Sequence, residues 1–359
     1  MKTTASGVGN SAKIVLTGDP YQIDNPHLDA SSNGLAYLVE RFKGQDIFRS
    51  RNVFKEQKKR SCRIVVRTTL MNRDINNPYI DMHIHTSFSD GAFTPREAVE
   101  YASKMKLSAI SITDHDCVDG IDEALDCALQ NDIEIIPGIE LSSEVESESG
   151  KSEIHILGYY IDYKSQYLKK SLDIFKKARY DRAVKIFERL KENGVELKNT
   201  DFINNIGDKA IGRLHFAKAL IEEKFVGGVQ EAFQRYLSKD KLAYVPKYSI
   251  SVKDAIKLIL DSGGIPVMAH PYYVHYADID LFKFLIDCGL MGIEAWHIKH
   301  SENVVKRFID IAKEFNLLIT GGSDCHGPYK KENPVMGKVK VPYSVLINLK
   351  KARESLYKS

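Results

Sequence analysis

The sequence has few of the features that would place it in a membrane or an oxidising compartment. It has five Cys among 359 residues and no Cys-x-x-Cys pair. No apolar run reaches 18 residues, and the chain does not open on a signal peptide. Because disulfide frameworks and membrane spans need such features, we expect a cytoplasmic protein that binds no membrane.

The chain also has little net charge, because its 51 basic and 48 acidic side chains nearly cancel to give +3. The charged residues are, however, unevenly distributed along the sequence. Residues 1–70 carry 12 basic and 6 acidic side chains, and residues 161–249 carry 19 basic and 12 acidic ones. The apolar content of 43% is enough to build one large domain or two smaller ones. Local basic regions therefore matter more than the total charge.

The most informative stretch is Asp81–Asp90, which reads Asp-Met-His-Ile-His-Thr-Ser-Phe-Ser-Asp. It continues a short apolar run that is typical of a β-strand. Since side chains alternate along a strand, His83 and His85 project to the same side and could bind one metal ion. A single His-x-His pair is more often an ordinary surface or core feature, so a metal site needs support from other parts of the chain.

The same side-chain types recur at or within five later strand-like runs: Thr113-Asp114-His115-Asp116, Pro137-Gly138-Ile139-Glu140, His155, Ala269-His270-Pro271 and Ser323-Asp324-Cys325-His326. Random placement rarely puts so many His, Asp and Glu residues at strand ends, so we predict a shared metal centre. Imidazole and carboxylate without thiolate suit Mn²⁺, Fe²⁺ or Zn²⁺. Cys117 and Cys325 have the opposite strand parity to their neighbours, and we exclude them as ligands.

Strand and helix patterns alternate after Tyr79. Strands are predicted at 79–85, 108–113, 133–140, 153–160, 265–270, 290–296 and 317–323. Helices are predicted at 95–106, 119–131, 251–262, 279–288 and 303–315, the first opened by Thr94 with Pro95 and Glu97 behind it. Seven such units predict an α/β fold, a distorted (β/α)7 barrel with its site at the C-terminal strand ends. A doubly wound open sheet is the alternative, although it would not need six contributing strand ends.

Residues 161–249 interrupt this alternation and are predicted to form an inserted helical cap. Its apolar stripe of Leu168, Leu172, Phe175, Ile186 and Leu190 also carries Arg179 and Arg182. These two arginines either lie at the edge of the apolar face or point into an anion-binding pocket. Arg213 and His215 open a further helix and are candidates for the same role, or belong to a solvated first turn. Lys247 is a weaker candidate and is expected at the surface.

The N-terminal region is of a different kind. Residues 7–48, with Lys13-Ile14-Val15-Leu16-Thr17-Gly18-Asp19-Pro20-Tyr21-Gln22-Ile23-Asp24, resemble a C-terminal fragment of a PhoH-like P-loop ATPase. The phosphate-binding Gly-x-x-x-x-Gly-Lys-Ser/Thr motif occurs nowhere in the chain, so this part cannot act as an NTPase. The basic stretch 49–67 is either a linker or a nucleic-acid-binding arm, and we favour the linker. We predict an irregular, poorly ordered appendage at 1–75, a barrel formed by 76–160 and 250–359, and the cap at 161–249.

With these motifs in view, residues 78–350 resemble the PHP (polymerase and histidinol phosphatase) superfamily. The resemblance implies two to three divalent metal ions, most often Mn²⁺, and it covers nine metal ligands: His83, His85, Asp90, His115, Glu140, His155, His270, Asp324 and His326. It assigns His83, His85, Glu140 and Asp324 to a first ion. Glu140 would bridge to a second ion on His155 and His270, and Asp90, His115 and His326 would hold a third. His83, His85, Glu140, Asp324 and His326 would be catalytic.

Within the superfamily, the cap motifs Arg179-Tyr180-Asp181-Arg182-Ala183, Gly212-Arg213-Leu214-His215 and Tyr244-Val245-Pro246 resemble the branch of nucleoside 3′,5′-bisphosphate phosphatases and 5′ to 3′ exoribonucleases. The expected reaction is attack on phosphorus by a hydroxide held between two metal ions. Arg179, Arg182, Arg213 and His215 would bind the nucleotide or short-RNA substrate. No obligate protein partner is inferred.

Several alternatives remain open at this point. A phosphatase for a small metabolite such as histidinol phosphate would share the barrel and the metals, and a non-enzymatic nucleic-acid-binding module would use residues 49–67. No general acid is evident: His297 and His300 are within reach, but both are expected in an exposed loop. Asp116 is a candidate for orienting His115.

Overall fold

A computed structural model describes residues 79–131, 133–147, 150–198, 212–274, 278–328 and 333–356, together with the backbone of three strands nearer the N-terminus. The chain divides into two compact units, Met1–Asn76 and Asn77–Ser359. The division of the second unit into a barrel at 76–160 and 250–359 and a cap at 161–249 stays a prediction. We keep the name cap for residues 161–249.

The N-terminal unit contains an antiparallel sheet of three strands in the order β1-β3-β2. The strands are β1 (Ile14–Gly18), β2 (Phe48–Val53) and β3 (Ser61–Val66). β1 lies within the PhoH-like stretch at 7–48, and β2 and β3 occupy much of the basic stretch at 49–67. Most of the predicted appendage lies outside the described residues.

The second unit is built on one sheet whose main path runs β11-β10-β9-β7-β6-β5-β4-β12. Its strands are β4 (Tyr79–Ile84), β5 (Ala109–Ile112), β6 (Glu134–Ser147), β7 (Gly150–Tyr159), β8 (Ile250–Ser251), β9 (Ile265–Met268), β10 (Gly292–His297), β11 (Leu318–Gly322) and β12 (Val341–Pro342). The seven predicted strands are all present, with shifts of one or two residues at most ends and a longer β6.

The sheet curls until its two ends meet. Cys325, just after β11, pairs in parallel with Ile84 at the end of β4. The Cys325 carbonyl accepts a hydrogen bond from the His85 N–H at 2.9 Å. Gly322 permits this approach, because a Cβ there would lie 2.5 Å from the His83 backbone nitrogen. The predicted barrel is therefore confirmed in a nearly closed form.

Strand direction departs from a purely parallel barrel. β7 runs antiparallel to both of its neighbours, β6 and β9, while the pairs β4/β5, β5/β6, β9/β10 and β10/β11 are parallel. The connection from β6 to β7 is too short for the crossover that a parallel pair requires, so these strands form a hairpin. Glu140 and His155 consequently lie within strands rather than at C-terminal strand ends.

The helices follow the predicted segments closely. They are α1 (Pro95–Lys104), α2 (Ile121–Asn131), α3 (Gln166–Glu192), α4 (Arg213–Glu222), the short α5 (Val229–Ala232), α6 (Val252–Asp261), α7 (Ile279–Asp287), α8 (Glu302–Glu314) and α9 (Ser344–Leu356). A π-helical turn covers Phe233–Leu237, and a 3₁₀ turn covers Pro271–Tyr273. At α1, the Thr94 hydroxyl accepts from the Glu97 N–H while the Glu97 carboxylate accepts from the Thr94 N–H, as the capping motif predicts.

Helix α3 belongs to two hydrophobic cores. Its first half packs Leu168, Leu172 and Phe175 onto the core that contains the barrel residues Ile139 and Ile156. Its second half packs into a separate core of the cap, through Ala183, Ile186 and Leu190 among others. The predicted single stripe is thus divided, and Arg179 and Arg182 lie buried between its two parts.

In the part of the chain that the structure describes, no helix combines the length and apolar character that crossing a lipid bilayer would require.

Candidate metal centre

Strand β4 delivers the first two candidate ligands. His83 and His85 are fully buried, and their Nε2 atoms lie 3.1 Å apart. Two imidazole nitrogens rarely face each other at this distance unless a proton or a cation lies between them. The alternation of β4 thus brings both rings to one side, as the His-x-His spacing predicts.

Glu140, on β6, is the centre of the cluster. Its Oε2 lies 3.4 Å from His83 Nε2, 3.2 Å from His85 Nε2 and 3.0 Å from His115 Nδ1. Its Oε1 lies 2.8 Å from His155 Nδ1 and 2.9 Å from His270 Nε2. His155 pairs with Ser142 in the β6–β7 hairpin, which puts it on the same face as Glu140. One buried carboxylate therefore faces five imidazoles.

Two further carboxylates complete the arrangement. Asp324 Oδ1 lies 3.5 Å from His83 Nε2 and 3.2 Å from His85 Nε2, and its backbone has a φ of 53°. Asp90 Oδ1 lies 3.2 Å from His326 Nε2, and Asp90 Oδ2 lies 4.0 Å from His115 Nε2. The left-handed backbone at Asp324 turns the chain sharply after β11 and keeps the carboxylate over the barrel.

All nine sequence-predicted ligands are brought together. Within the described residues they form four overlapping groups with a spacing suited to metal ions: His85/Asp90/His115/His326, His83/Glu140/His270, His83/His85/Asp324 and His115/Glu140/His155. These groups differ in part from the division that the resemblance implied, since His270 lies with His83 and His85 lies with Asp90. Neither Cys117 nor Cys325 belongs to a group, in agreement with the parity argument.

The unpaired atoms of the cluster fit bound cations. Asp90 Oδ1, His115 Nδ1 and Glu140 Oε2 are buried and make no hydrogen bond. His115 Nδ1 and Glu140 Oε2 lie only 3.0 Å apart, yet they do not form a hydrogen bond with each other. Buried polar atoms need partners, and divalent metal ions would supply them.

The cluster also shifts the protonation of its members. Burial would raise the pKa of Glu140, but His115, His155 and His83 hold it well below the usual range. Burial would lower the pKa of His83, but Glu294, Glu140 and Asp324 raise it well above the usual value. The carboxylates are therefore ionised at neutral pH, as ligands of a cation must be.

Sequence reasoning missed Glu294, a fully buried residue in β10. Its Oε1 lies 3.0 Å from His83 Nδ1, and its Oε2 accepts a 2.7 Å hydrogen bond from the His270 N–H. It thereby fixes the ring of one candidate ligand and the backbone of another. The signal was present, since an acid between Ile293 and Ala295 in an apolar strand needs a buried partner.

Two expectations about neighbouring residues were wrong. His297 is buried rather than exposed, with Nε2 3.5 Å from Asp324 Oδ2, and its Nδ1 accepts from the Lys299 N–H. His300 is half-buried and its Nδ1 lies 2.7 Å from the Ala295 carbonyl oxygen. His297 Nε2 makes no hydrogen bond among the described residues, and Asp324 is the carboxylate that lies near it.

Asp116 does not contact His115. Its carboxylate accepts hydrogen bonds from the Ser142 N–H at 2.7 Å and the Ser142 hydroxyl at 2.9 Å, and it pairs with the Arg179 guanidinium. Burial would raise the pKa of Asp116, but Arg179 and Lys247 lower it. Asp116 therefore ties the barrel to the cap.

Two other cap cations, Arg182 and Arg213, interact electrostatically with each other. Arg182 Nε donates to the Val245 carbonyl at 2.9 Å, and Arg213 donates to the Leu237 carbonyl at 3.3 Å. Neither forms an ion pair among the described residues. Burial, followed by Arg213 and Arg179, lowers the pKa of Arg182 to about 10. Like charges are thus held close together without a neutralising carboxylate.

His215 and Lys247 are two further basic residues of the cap. Burial and Lys218 lower the pKa of His215, against the effect of Asp90 in the metal cluster. Its Nδ1 accepts from the Gly212 N–H at 3.1 Å, which leaves Nε2 as the outward nitrogen. Lys247, expected as a surface lysine, is half-buried and lies 3.0 Å from Glu153 Oε1, the same oxygen that lies 3.0 Å from His155 Nε2.

Two relatives are similar to this chain in sequence, and one solved structure is similar to it in fold. It is 30% identical over 258 residues to a 3′,5′-nucleoside bisphosphate phosphatase of Chromobacterium violaceum, covering 69% of this chain and 87% of that protein. It is 31% identical over 254 residues to a 5′-3′ exoribonuclease of Haemophilus influenzae, covering 69% and 90%. A solved structure of a candidate metal-dependent phosphoesterase from Bifidobacterium adolescentis superposes with a TM-score of 0.68 at 28% identity, covering 77% of this chain and 96% of that one.

A short, separate match concerns PhoH2 of Bacillus subtilis. It is 55% identical over 58 residues, which cover 16% of this chain and 13% of that protein. This agrees with the PhoH-like fragment predicted at residues 7–48.

The PHP domain family matches residues 81–265, a segment that contains the ligands from β4 to β7. This match and the two relatives confirm the family predicted from the sequence. The chain belongs to the PHP domain family.

Proposed function

We propose that the chain is a phosphoric ester hydrolase that removes the 3′-phosphate of nucleoside 3′,5′-bisphosphates and cleaves short RNA from its 5′ end. The observation that carries this proposal is that one unit holds both a cluster of metal ligands and two cap cations, Arg182 and Arg213, that lie close together without carboxylate partners among the described residues. One phosphoryl group fits the metal cluster, and a second fits the arginines. The named activities of the relatives support the same choice.

The nine clustered residues would hold two to three divalent ions, and we propose Mn²⁺, with Zn²⁺ and Fe²⁺ as alternatives. When bound, such ions supply an activated water and neutralise phosphoryl charge. We retain Glu140 as the bridging ligand because both of its oxygens face imidazoles. We also propose the predicted catalytic set of His83, His85, Glu140, Asp324 and His326.

Both substrates would react in the same way. Water adds to phosphorus, the bond from phosphorus to the ribose O3′ breaks, and O3′ takes up a proton. A bisphosphate yields inorganic phosphate and a nucleoside 5′-phosphate, whereas RNA yields its first nucleotide and a shortened chain. Arg182, Arg213 and His215 would bind the 5′-phosphate in each case and so fix the distance to the scissile bond.

Arg179 has a more limited place in this proposal. Its charge is largely offset by Asp116, but its Nε is buried and makes no hydrogen bond. We assign it to substrate binding together with the other three cap residues. We also infer a cytoplasmic location, since five cysteines in 359 residues, without a paired spacing, are typical of proteins from a reducing compartment.

A comparison of two substrates tests the proposal. Adenosine 3′,5′-bisphosphate and adenosine 3′-monophosphate share the scissile ester and differ only in the 5′-phosphate. We expect Arg213→Ala to lower kcat/KM for the bisphosphate roughly 10- to 100-fold, the loss of one hydrogen bond to a charged group, and to change the monophosphate little.

Arg235→Ala is the matched control, because Arg235 lies in the same cap but is paired with Glu231 on the surface. Equal losses on both substrates would remove the 5′-phosphate assignment. Hydrolysis of histidinol phosphate without activity on either nucleotide would replace the proposed function with the small-metabolite alternative.

A further inference from the structure

An aromatic surface beside the metal centre has no part in the function so far. Tyr272 and Tyr273, here called the tyrosine platform, form the 3₁₀ turn that follows the ligand His270. They are 55% and 51% exposed. Two adjacent exposed tyrosines at the mouth of a catalytic cluster are suited to binding a flat ligand group, since each presents a large ring at little cost in side-chain entropy.

Other rings support the platform from below. Tyr272 lies 6.1 Å from His300, whose ring lies 5.3 Å from the core residue Phe308. Tyr273 lies 5.4 Å from His270 and 6.1 Å from His297, in both cases edge to face. One side of each tyrosine is thereby packed against the protein.

The turn itself is held firmly. The His270 N–H is bonded to Glu294, Pro271 is buried, and the Tyr273 N–H donates to the His270 carbonyl at 3.1 Å. A ligand that stacks here would meet rings already in place, so binding would cost little ordering of the protein.

The platform and Asp116, which pairs with Arg179, follow different ligands of the cluster, His270 and His115, and both of these ligands face Glu140. The platform follows β9 and rests on the end of β10, whereas Asp116, which ties the cap to the barrel, follows β5. Around the barrel, β5 and β10 are separated by β6, β7 and β9 in one direction and by β4 and β11 in the other. A chain that passes over Glu140 from the side of Arg179 would therefore be directed towards the tyrosines.

Resting on the proposed function, we propose that the tyrosine platform binds the base of the second nucleotide of an RNA substrate. The cap cations hold the 5′-phosphate of the first nucleotide, and the scissile phosphorus lies at the metal cluster. The second nucleotide, joined to that phosphorus through its O5′, then lies on the platform side. A nucleoside bisphosphate has no group there, so the platform distinguishes RNA from bisphosphate.

The test uses two short substrates that differ only in the proposed contact. One is 5′-phosphorylated diadenylate, and the other is the same dinucleotide with an abasic second residue. For the unaltered protein we expect kcat/KM for diadenylate to exceed that for the abasic substrate by about 5- to 100-fold, the usual range for one base stacked on an aromatic ring.

Replacing both tyrosines should remove this preference. We expect Tyr272→Ala with Tyr273→Ala to lower diadenylate cleavage to the abasic level and to leave hydrolysis of adenosine 3′,5′-bisphosphate unchanged. Tyr272→Phe with Tyr273→Phe keeps the rings and should keep the preference. Tyr167→Ala is the matched control, because Tyr167 is 50% exposed and its hydroxyl donates to Asp261, at the end of α6 that precedes β9.

Different failures point to different errors. Equal losses on dinucleotide and bisphosphate would overturn the platform and show that the tyrosines only support His270, as would a preference that survives the double alanine substitution. Bisphosphate hydrolysis without dinucleotide cleavage would also overturn it while leaving the phosphatase activity standing. If neither is hydrolysed, the proposed function fails, and calorimetric binding of both dinucleotides to Asp324→Asn protein still decides the platform, since equal affinities would overturn it.

Discussion

The charged side chains of the barrel and of the cap differ in their partners. In the barrel, Glu140 and the neighbouring carboxylates face imidazoles. The negative carboxylates and the protonated imidazoles stabilise each other's charged forms. In the cap, Arg182 and Arg213 lie close together, and both donate hydrogen bonds to backbone carbonyls. The barrel cluster is suited to cations, whereas the cap cluster is suited to an anion. In the proposed function, the two regions would bind two different phosphoryl groups of one substrate.

The comparison would be broken most severely at Glu140. We expect Glu140→Gln to lower turnover by roughly a thousandfold or more. The amide is neutral and cannot provide the negative charge of a carboxylate that bridges two metal ions. Elemental analysis should show loss of metal, while circular dichroism should show an intact fold. Glu134→Gln, at the other end of β6, is the control, since Glu134 contacts Tyr343 and Lys350 instead. Full activity of Glu140→Gln would contradict the bridging role.

The tie between the two regions can be tested at Asp116. Removing one member of the buried Asp116–Arg179 pair leaves the other charge without a partner, so Asp116→Asn should lower the free energy of unfolding by about 3 kcal/mol. Breaking the surface pair with Glu231→Ala should cost under about 0.5 kcal/mol. Urea denaturation measures both values, and similar losses for the two variants would argue against a buried tie.

The Asp116 contribution should also depend on pH. Since the folded-state pKa of Asp116 is lowered, its stabilisation is present above roughly pH 4, the ordinary aspartate value, and is lost as the pH falls through the lowered pKa. Asp116→Asn should therefore differ most from the unaltered protein near neutral pH.

Metal binding provides a further difference between the barrel and the cap. Only the barrel cluster should release protons when a metal ion binds. Burial would lower the pKa values of His85 and His155, but their carboxylate neighbours raise them to about 10 and about 9. These rings therefore hold protons at pH 7 that an incoming ion must displace. Affinity for Mn²⁺ should rise about tenfold per pH unit for each proton released. Calorimetry in buffers of different ionisation enthalpy counts these protons, and pH-independent binding would contradict the expectation.

The smallest effect is expected from the N-terminal unit. The matched family segment begins at residue 81, and all nine clustered ligands lie in the second unit. Deletion of residues 1–70 should leave kcat and KM unchanged for both nucleotide substrates. A loss of activity that is specific to RNA would show instead that the basic stretch at 49–67 contributes to substrate binding.

Most of the barrel could be predicted because its signals are local. Short apolar runs end in His, Asp or Glu, and the turn and capping residues between them, such as Thr94, mark the helices. The direction of β7 could not be predicted in this way, since an isolated run gives no information about its partner strand. The same limit applied to His297, which is buried and lies near Asp324, a residue that follows another strand.

The cap was predicted less completely for a related reason. The helical period of α3 predicted an apolar stripe with two arginines on it. The division of that stripe depends on which of its residues pack on the barrel core and which pack on the separate core of the cap. Asp116 looked like a partner for its neighbour His115, yet it bonds to Ser142 and Arg179, which are distant in sequence.

The sequence by itself determined the ligand types, their order along the strands and the family to which they belong, because alternation within a strand fixes which side chains share a face. Only the tertiary structure decided which candidate ligands lie close enough to share an ion, that Glu294 contacts His83 and His270, and that Arg182 and Arg213 lack carboxylate partners among the described residues. Those facts depend on distances between segments far apart in the chain, and such distances are set by barrel closure and by the packing of α3.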